Sequence, residues 1–557
     1  MNCNRSRVGS SFTTMIWPLS LREGLVAVKG WRPSWKEWLL IAVVGLLVQA
    51  FWAVQLKEPT YMDAYYYTTN GRQLAEGAGF QEMIIWQFLD NPTGLPTPSH
   101  TYWMPLPSIL ASIGYRLTGT FGGAQIPFWL LAGLLPLLAF AISWQLVGLR
   151  WQAWTAALFT AAGSFYAAFL SQPSTFAPFA WAGGGFLLVL AVLHRKGGGP
   201  AAPVVWLMAG ILAGLAHLTR ADGMLFLFLG LLFLGWQIWR ARSAEIRSLI
   251  GAFSLPVILL LGGYLLVMGW WFVHSWQVTG RPLSTVGTQS MFLTHYDDLF
   301  AYGRSFDLSS YLAWGWGNIL RSKVEGLWLG AQSLFVVSGM VFLAPFIIVG
   351  WITTNRKQEQ RDFLWPFTLY TLIMFLVLTL VFTFPGERGS IFHSSIAIWP
   401  WMAVLATVGI GLAVDWIAAR LPHWKPERAK RLFSALFIVI AFVVSLIIGL
   451  ARLIPDPSIQ TYEQIAADIP NESKVMVGIA PAFYYHTQIA AVSVPNEPIE
   501  TILEAASRYG VEYLILDENT PAPLHNLYTG DEQNTRVLLV GMYGEGVKVF
   551  QLLPNGT

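Results

Sequence analysis

Long apolar runs without a single charge, divided by short polar punctuation, set the pattern of this chain. A membrane-spanning helix needs roughly 20 mostly apolar residues. Eleven runs meet that need: 38–56, 124–147, 151–170, 175–193, 202–219, 223–239, 249–273, 327–352, 363–384, 391–414 and 432–452. Residues 151–193 are wholly uncharged, and Ser171-Gln172-Pro173-Ser174 supplies the turn that divides them in two. The stretch 104–118 is shorter and carries Pro105, Pro107 and Arg116, so it reads as a re-entrant or interfacial helix. Parity supports that reading. With eleven spans and a cytoplasmic N-terminus, every dense basic cluster falls on one side, as the positive-inside rule requires. Those clusters are Arg5 to Lys36, Arg150, Arg195-Lys196, Arg240 to Arg247, Arg356 to Arg361 and Arg420 to Arg431. A twelfth span would put Arg195-Lys196 and Arg240 to Arg247 on the wrong face. No small-residue cleavage site follows 38–56, which reads as a retained signal anchor. The expected outer face then holds loops 57–123 and 274–326, the turns 171–175, 219–222 and 385–390, and everything from Leu453 onward.

Composition sharpens the class. Of 557 residues, 55% are hydrophobic, 15% aromatic and only 12% charged. A soluble chain carries about 25% charged residues, so an ordinary cytosolic protein and a disordered one are both excluded. The one cysteine, Cys3, excludes a disulfide framework and any Cys-built metal centre. The net charge of +3 is unevenly spread. From Leu453 onward there are four basic and thirteen acidic residues, which leaves +12 for the first 452. An acidic appendage on a basic, apolar body points to the bilayer as a partner and away from nucleic acid.

The tail alternates helical and strand-like segments: helices at 459–469, 482–487 and 497–509, strands at 474–479, 490–494 and 511–516, and a hairpin at 536–552. It predicts a small, mostly parallel α/β unit without a G-x-G-x-x-G or P-loop. The expected fold is thus a polytopic α-helical membrane protein with a small C-terminal α/β extracytoplasmic domain. Its parts are a basic cytoplasmic segment (1–37), a transmembrane domain (38–452) and a soluble domain (453–557). No sequence repeat and no matched pair of broken helices is visible.

The first outer loop concentrates the chemistry. Glu58-Pro59-Thr60-Tyr61-Met62-Asp63-Ala64-Tyr65-Tyr66-Tyr67 follows the first span. An amphipathic run, Gly77-Ala78-Gly79-Phe80, Trp86, His100 and Tyr102-Trp103-Met104-Pro105 come after it. This ordered set resembles the GT-C superfamily of integral-membrane glycosyltransferases, which includes the protein O-mannosyltransferases and the lipid A aminoarabinose transferases. The resemblance covers the layout of about 400 residues and the motifs of 58–105. It implies a sugar donor on a polyprenyl phosphate, an acceptor that is a glycan, lipid or protein, and Asp63 as catalytic base. A carboxylate just past a span suits that chemistry, because the donor's tail stays in the bilayer and a hydroxyl nucleophile needs a proton acceptor. Capping of the helix that starts near Ala64 is the alternative role for Asp63.

A departing lipid phosphate needs cationic or hydrogen-bonding help. Arg388, with His393 a turn later, and Arg220, beside Asp222, stand in short outer turns and are the candidates. Arg281, Arg304, Arg321 and Lys323 of the second loop are weaker ones. Tyr66, His100, Tyr102, Trp103 and Asp222 are candidate substrate contacts, whereas His217 reads as a packed residue and His194 as part of the inner surface. Many of the proteins resembled carry a second acid after the third span, where it helps to hold a metal or substrate. Here Ser171-Gln172-Pro173-Ser174-Thr175 has none, and His295 with Asp297-Asp298 reads as a solvated loop, so no cofactor and no metal is expected. Two other classes remain open: a transporter or flippase of lipid-linked glycans, and an inactive scaffold on the same fold.

Overall fold

The computed structural model describes residues 31–195, 203–240, 246–421, 423–454, 456–544 and 546–554. Cys3 and the rest of the basic N-terminal segment before Trp31, Lys196, most of the 197–203 linker, and Arg242 lie outside them. Among the described residues, eight helices are long and apolar enough to cross a membrane: Trp35–Gln55, Phe121–Leu146, Phe176–Arg195, Ala221–Arg240, Phe253–Thr279, Gln358–Val381, Trp399–Ala418 and Pro426–Ala451. Pro203–Thr219 and Ala344–Thr354 are shorter apolar helices. The protein is a polytopic membrane protein.

Three runs expected to be continuous spans are interrupted. The run 151–170 forms a helix only over Arg150–Ala162, where Gly163 turns left-handed (φ 77°) and ends it. The chain then continues as the buried turn Ser164–Tyr166, whose Ser164 N–H donates to Ser445 Oγ at 3.0 Å. The run 327–352 breaks at Met340 and Val341, both with positive φ, and 391–414 divides into Ile391–Ser395 and Trp399–Ala418. Hydrophobicity sets the length of an apolar run, but glycine, strained backbone and tertiary packing decide where the helix stops.

Directly after the first span, Met62–Glu76 lies beside Leu106–Thr118. Gly71 permits this: a Cβ there would sit 2.7 Å from the Ala111 methyl and 3.1 Å from the Ser108 carbonyl. Ser108 Oγ donates to the Tyr67 carbonyl across the pair at 3.2 Å. Leu106–Thr118, the rejected twelfth span, is a 13-residue helix that leaves Ile113 and Leu117 exposed.

The tail's sheet is not self-contained. Its strands are β4 (Val475–Val477), β5 (Ala491–Ser493), β6 (Tyr513–Leu516), β7 (Val537–Tyr543) and β8 (Val547–Leu552). Two further short strands of the first loop, β1 (Gln81–Glu82) and β3 (Thr97–Pro98), pair with each other, while β2 (Ile84–Ile85) joins the tail's sheet. The six-stranded order is β2-β5-β4-β6-β8-β7, parallel from β2 to β6 and antiparallel through β8 and β7. The sheet therefore crosses the boundary expected at Leu453. The same loop docks through aromatic rings: Tyr65, Tyr66, Tyr67 and Trp86 pack in one buried cluster with Ile459, Tyr462, Ile465 and Phe483. Ile84 is fully buried there. Ile84→Ala is expected to weaken tail docking by about 2–5 kcal/mol, read as faster amide exchange in β5 with the spanning helices unchanged.

Candidate active site

A cavity of about 410 Å³ opens where the first loop, the 219–222 turn, the end of Phe253–Thr279, the second loop and the segment 377–393 converge. Asp63 lies on its wall. It is the second residue of Met62–Glu76, whose N-cap is Tyr61, and no side-chain capping bond forms there. Burial in this apolar wall raises the Asp63 carboxyl to about 6, and the Arg220 guanidinium opposes the rise. His393 Nε2 stands 3.9 Å from Asp63 Oδ2.

Arg220 follows Pro203–Thr219 and begins the turn Ala221–Gly223. Gly223 makes the turn tight enough: a Cβ would lie 2.2 Å from the Ala216 backbone. Arg220 Nε donates to Asp222 Oδ1 at 2.9 Å, with both side chains largely buried. Ser394 Oγ donates to Asp222 Oδ2, and Arg220 Nη2 reaches Ser394 Oγ at 3.5 Å. The pair is thereby tied to the short helix Ile391–Ser395, and His393 from that helix lies against Asp63. A charge in such surroundings must be paired or hydrogen-bonded to persist, and Arg220 serves two carboxylates.

The opposite wall is aromatic. Trp86 and Trp103 stack at 3.9 Å with an 8° interplanar angle, and Tyr102 meets Trp86 edge-on at 5.3 Å. His100 adopts a left-handed backbone (φ 62°), held by its N–H donating to Tyr66 Oη at 2.8 Å. Burial pushes the His100 imidazole down to about 3. Its Nδ1–H donates to the Trp103 carbonyl at 3.2 Å. Nε2 is buried with no partner among the described residues, which leaves it an unused acceptor on the cavity wall.

Several candidates fall elsewhere. Tyr66 does not line the cavity; it is buried as a strut for His100. Tyr67 lines it instead, because residues i and i+4 share a helix face and Asp63 is four residues earlier. Helical spacing carried that signal, and the run of three tyrosines obscured it. Arg388 sits at the mouth with its side chain 61% exposed, 4.3 Å over the Tyr296 ring and 3.8 Å from Asp297. Arg281, Arg304, Arg321 and Lys323 do not line the cavity. Arg304 pairs with Asp298 and Glu497, Arg321 with Glu325, and Lys323 donates to Thr383. His217 is buried and hydrogen-bonded to Tyr264, yet it also reaches the cavity, together with His274 and Trp271.

The residues do not suit a metal of the kind that the resemblance allows. Among the described residues no three His, Cys, Asp or Glu side chains converge. Asp298 Oδ2 accepts from the Thr294 and His295 backbone N–H groups, and Gln172, in the turn that lacks an acid, is bound to Thr60.

No protein-family model and no curated protein matches the chain. Solved structures do. ArnT from Cupriavidus metallidurans bound to undecaprenyl phosphate is similar at a TM-score of 0.54 and 13% identity, over 92% of this chain and 97% of that one. Its apo state matches at 0.53 and 12% over the same shares. The archaeal oligosaccharyltransferase AglB from Archaeoglobus fulgidus, in complex with an inhibitory peptide and a dolichol-phosphate, matches at 0.51 and 11%, over 87% of this chain and 70% of that one. The fold is similar to that of GT-C glycosyltransferases. Within this fold, the Asp63 cavity sits where spanning helices end and the tail's sheet docks.

The raised Asp63 carboxyl has a consequence for stability. Unfolded, it titrates near 3.9; folded, near 6. Between these values the folded state binds more protons, so stability falls as pH rises through the window. Above it the ionised group costs up to about 3 kcal/mol. Asp63→Asn is therefore expected to unfold at a higher temperature than wild type at pH 7.5, with the difference shrinking below pH 5.

Proposed function

We propose that this protein is a membrane glycosyltransferase that moves a sugar from a polyprenyl-phosphate donor to an acceptor hydroxyl or amine. Asp63 is the base. It takes the acceptor's proton as the acceptor attacks the anomeric carbon, while the bond from that carbon to the phosphate oxygen breaks. A single displacement of this kind inverts the anomeric centre. Arg220 holds the departing phosphate from the buried side, and Arg388 reaches it from the cavity mouth. His100, Tyr102, Trp103 and Asp222 face the sugar. The acceptor is a glycan, a lipid or a protein, and the bilayer holds the donor's tail. The N-terminus lies in the cytoplasm of a multi-pass cell-membrane protein and the tail outside, a sidedness that the basic inner loops support.

One observation carries this reading: an ionisable carboxylate with a raised pKa shares a cavity wall with a fixed guanidinium, at the end of a membrane span. Raised carboxyls in clefts mark functional sites more often than solvated loops do. The undecaprenyl phosphate in ArnT and the dolichol-phosphate in AglB support the donor class.

The test is sugar release from labelled polyprenyl-phosphate sugars by protein in lipid nanodiscs, with and without a chelator. Asp63→Asn is expected to lose about 10²–10⁴-fold in turnover, and Arg220→Gln about 10²–10³-fold. Turnover by wild type is expected to be indifferent to chelator and to rise with pH through about 6 as Asp63 ionises. An Asp63→Asn protein as active as wild type overturns the assignment of the base.

A further inference from the structure

His393 stands beside Asp63 in an arrangement that binding a phosphate does not explain. Its ring is fixed on three sides. It stacks on Phe176 at 4.2 Å with a 23° interplanar angle, its Nδ1 meets Thr175 Oγ1 at 2.9 Å, and its Nε2 faces Asp63 Oδ2 at 3.9 Å. Thr175 is itself buried, anchored where Phe176–Arg195 begins, and its carbonyl accepts from the Phe179 N–H at 3.0 Å. Both ring nitrogens are therefore directed, one at a hydroxyl and one at a carboxylate. A phosphate-binding histidine needs a positive ring or a nitrogen aimed at the ligand. Burial, and then the neighbouring Arg220 charge, hold this imidazole well below its ordinary pKa and keep it neutral.

We infer that His393 is the positioning residue of Asp63, with Thr175 fixing its tautomer so that Nε2–H faces Asp63 Oδ2. With Asp63 ionised, the proton bookkeeping has one consistent solution. An ionised carboxylate opposite Nε2 requires the proton on Nε2, which leaves Nδ1 as an acceptor, and the Thr175 hydroxyl donates to it. The 3.9 Å separation is longer than a hydrogen bond, as is common before substrate closes a site. Tyr61 and Tyr67 of its own segment, Tyr102 of the first loop and Tyr296 of the second are all held un-ionised by burial, and among the described residues none of their hydroxyls is hydrogen-bonded to Asp63. Arg220, the remaining charged neighbour, is already bound to Asp222. His393 thus adds a neutral ring donor directed at the base, and it approaches from the helix to which the Arg220–Asp222 pair is tied through Ser394.

This inference rests on the reading of Asp63 as the base, and its test is read without any donor. The titration of Asp63 is followed in nanodiscs by pH-difference infrared spectroscopy, its carboxyl band identified by subtracting Asp63→Asn. His393→Phe keeps a ring for the Phe176 stack and removes both nitrogens. Its Asp63 midpoint is expected to move up by about half a unit, less than a full hydrogen bond to a charged group is worth, because Nε2 stands 3.9 Å away before substrate binds. His393→Gln restores an N–H donor and is expected to return the midpoint to the wild-type value; Thr175→Val is expected to give a smaller upward shift. Thermal unfolding identifies any variant that fails to fold. A midpoint unmoved by His393→Phe overturns the inference, and so does one moved equally by Phe and Gln. A raised donor KM in His393→Phe with an unmoved Asp63 midpoint would assign His393 to the phosphate instead. Full turnover by Asp63→Asn would sink the base reading separately.

Discussion

Pairing of charge in an apolar wall is the constraint on which the site depends. Asp63, Arg220 and Asp222 occupy a place where an isolated charge is costly, and one guanidinium faces two carboxylates. The better-bonded carboxylate keeps the cation: Asp222 holds Arg220 Nε at 2.9 Å and also accepts from Ser394. Asp63 is left with the remainder, so burial outweighs attraction and its carboxyl rises to about 6. A proton acceptor poised near neutral pH is the arrangement that general-base chemistry favours. The spacing of Arg220 and Asp222, two residues apart in a glycine-tightened turn, produces the imbalance.

The broken helices answer the same constraint. In a bilayer, irregular backbone is tolerated where it is buried in protein or lines a polar cavity. Here the interruption at Ile396–Ile398 leaves Ile391–Ser395 as a separate turn, which presents His393 to Asp63 and Ser394 to Asp222. A continuous helix through 391–414 would fix those side chains by the register of the span. The π-helical turn at Val377–Val381 and the kink at Gly389 likewise border the cavity. Irregular backbone thus borders the cavity, where side chains must be aimed.

The sequence conveyed the class of fold well, because a charge-free run of 20 residues has few other uses. It also located Asp63, Arg220 and His393, since charged or titratable residues next to spans are few. It could not convey which of them meet. Arg220 and Ser394 are 174 residues apart, and Thr175 and His393 are 218 apart; no local periodicity encodes such contacts. The strand Ile84–Ile85 was equally hidden, because two residues carry no alternation and its partners lie some 400 positions away. Helical breaks within apolar runs escaped for a third reason. Hydropathy is blind to the single glycine, or the packed turn, that ends a helix.

Charge balance also explains why one arginine is not enough. With Asp63 ionised, the buried trio of Asp63, Arg220 and Asp222 sums to −1, and a donor phosphate adds more negative charge to the same wall. Arg220 is shared with Asp222, so it offers a phosphate less than a full charge. On the proposed reading a second cation, not already fixed by a partner, completes the phosphate site. Arg388 meets that condition. Its side chain is exposed, its contact with Asp297 is long at 3.8 Å, and it rests on the Tyr296 ring at the cavity mouth. Exposed pairs of that kind are worth at most about 1 kcal/mol, so exchanging Asp297 for a phosphate costs little. On the proposed reading, a fixed inner guanidinium and an exposed outer one share the donor's phosphate between them.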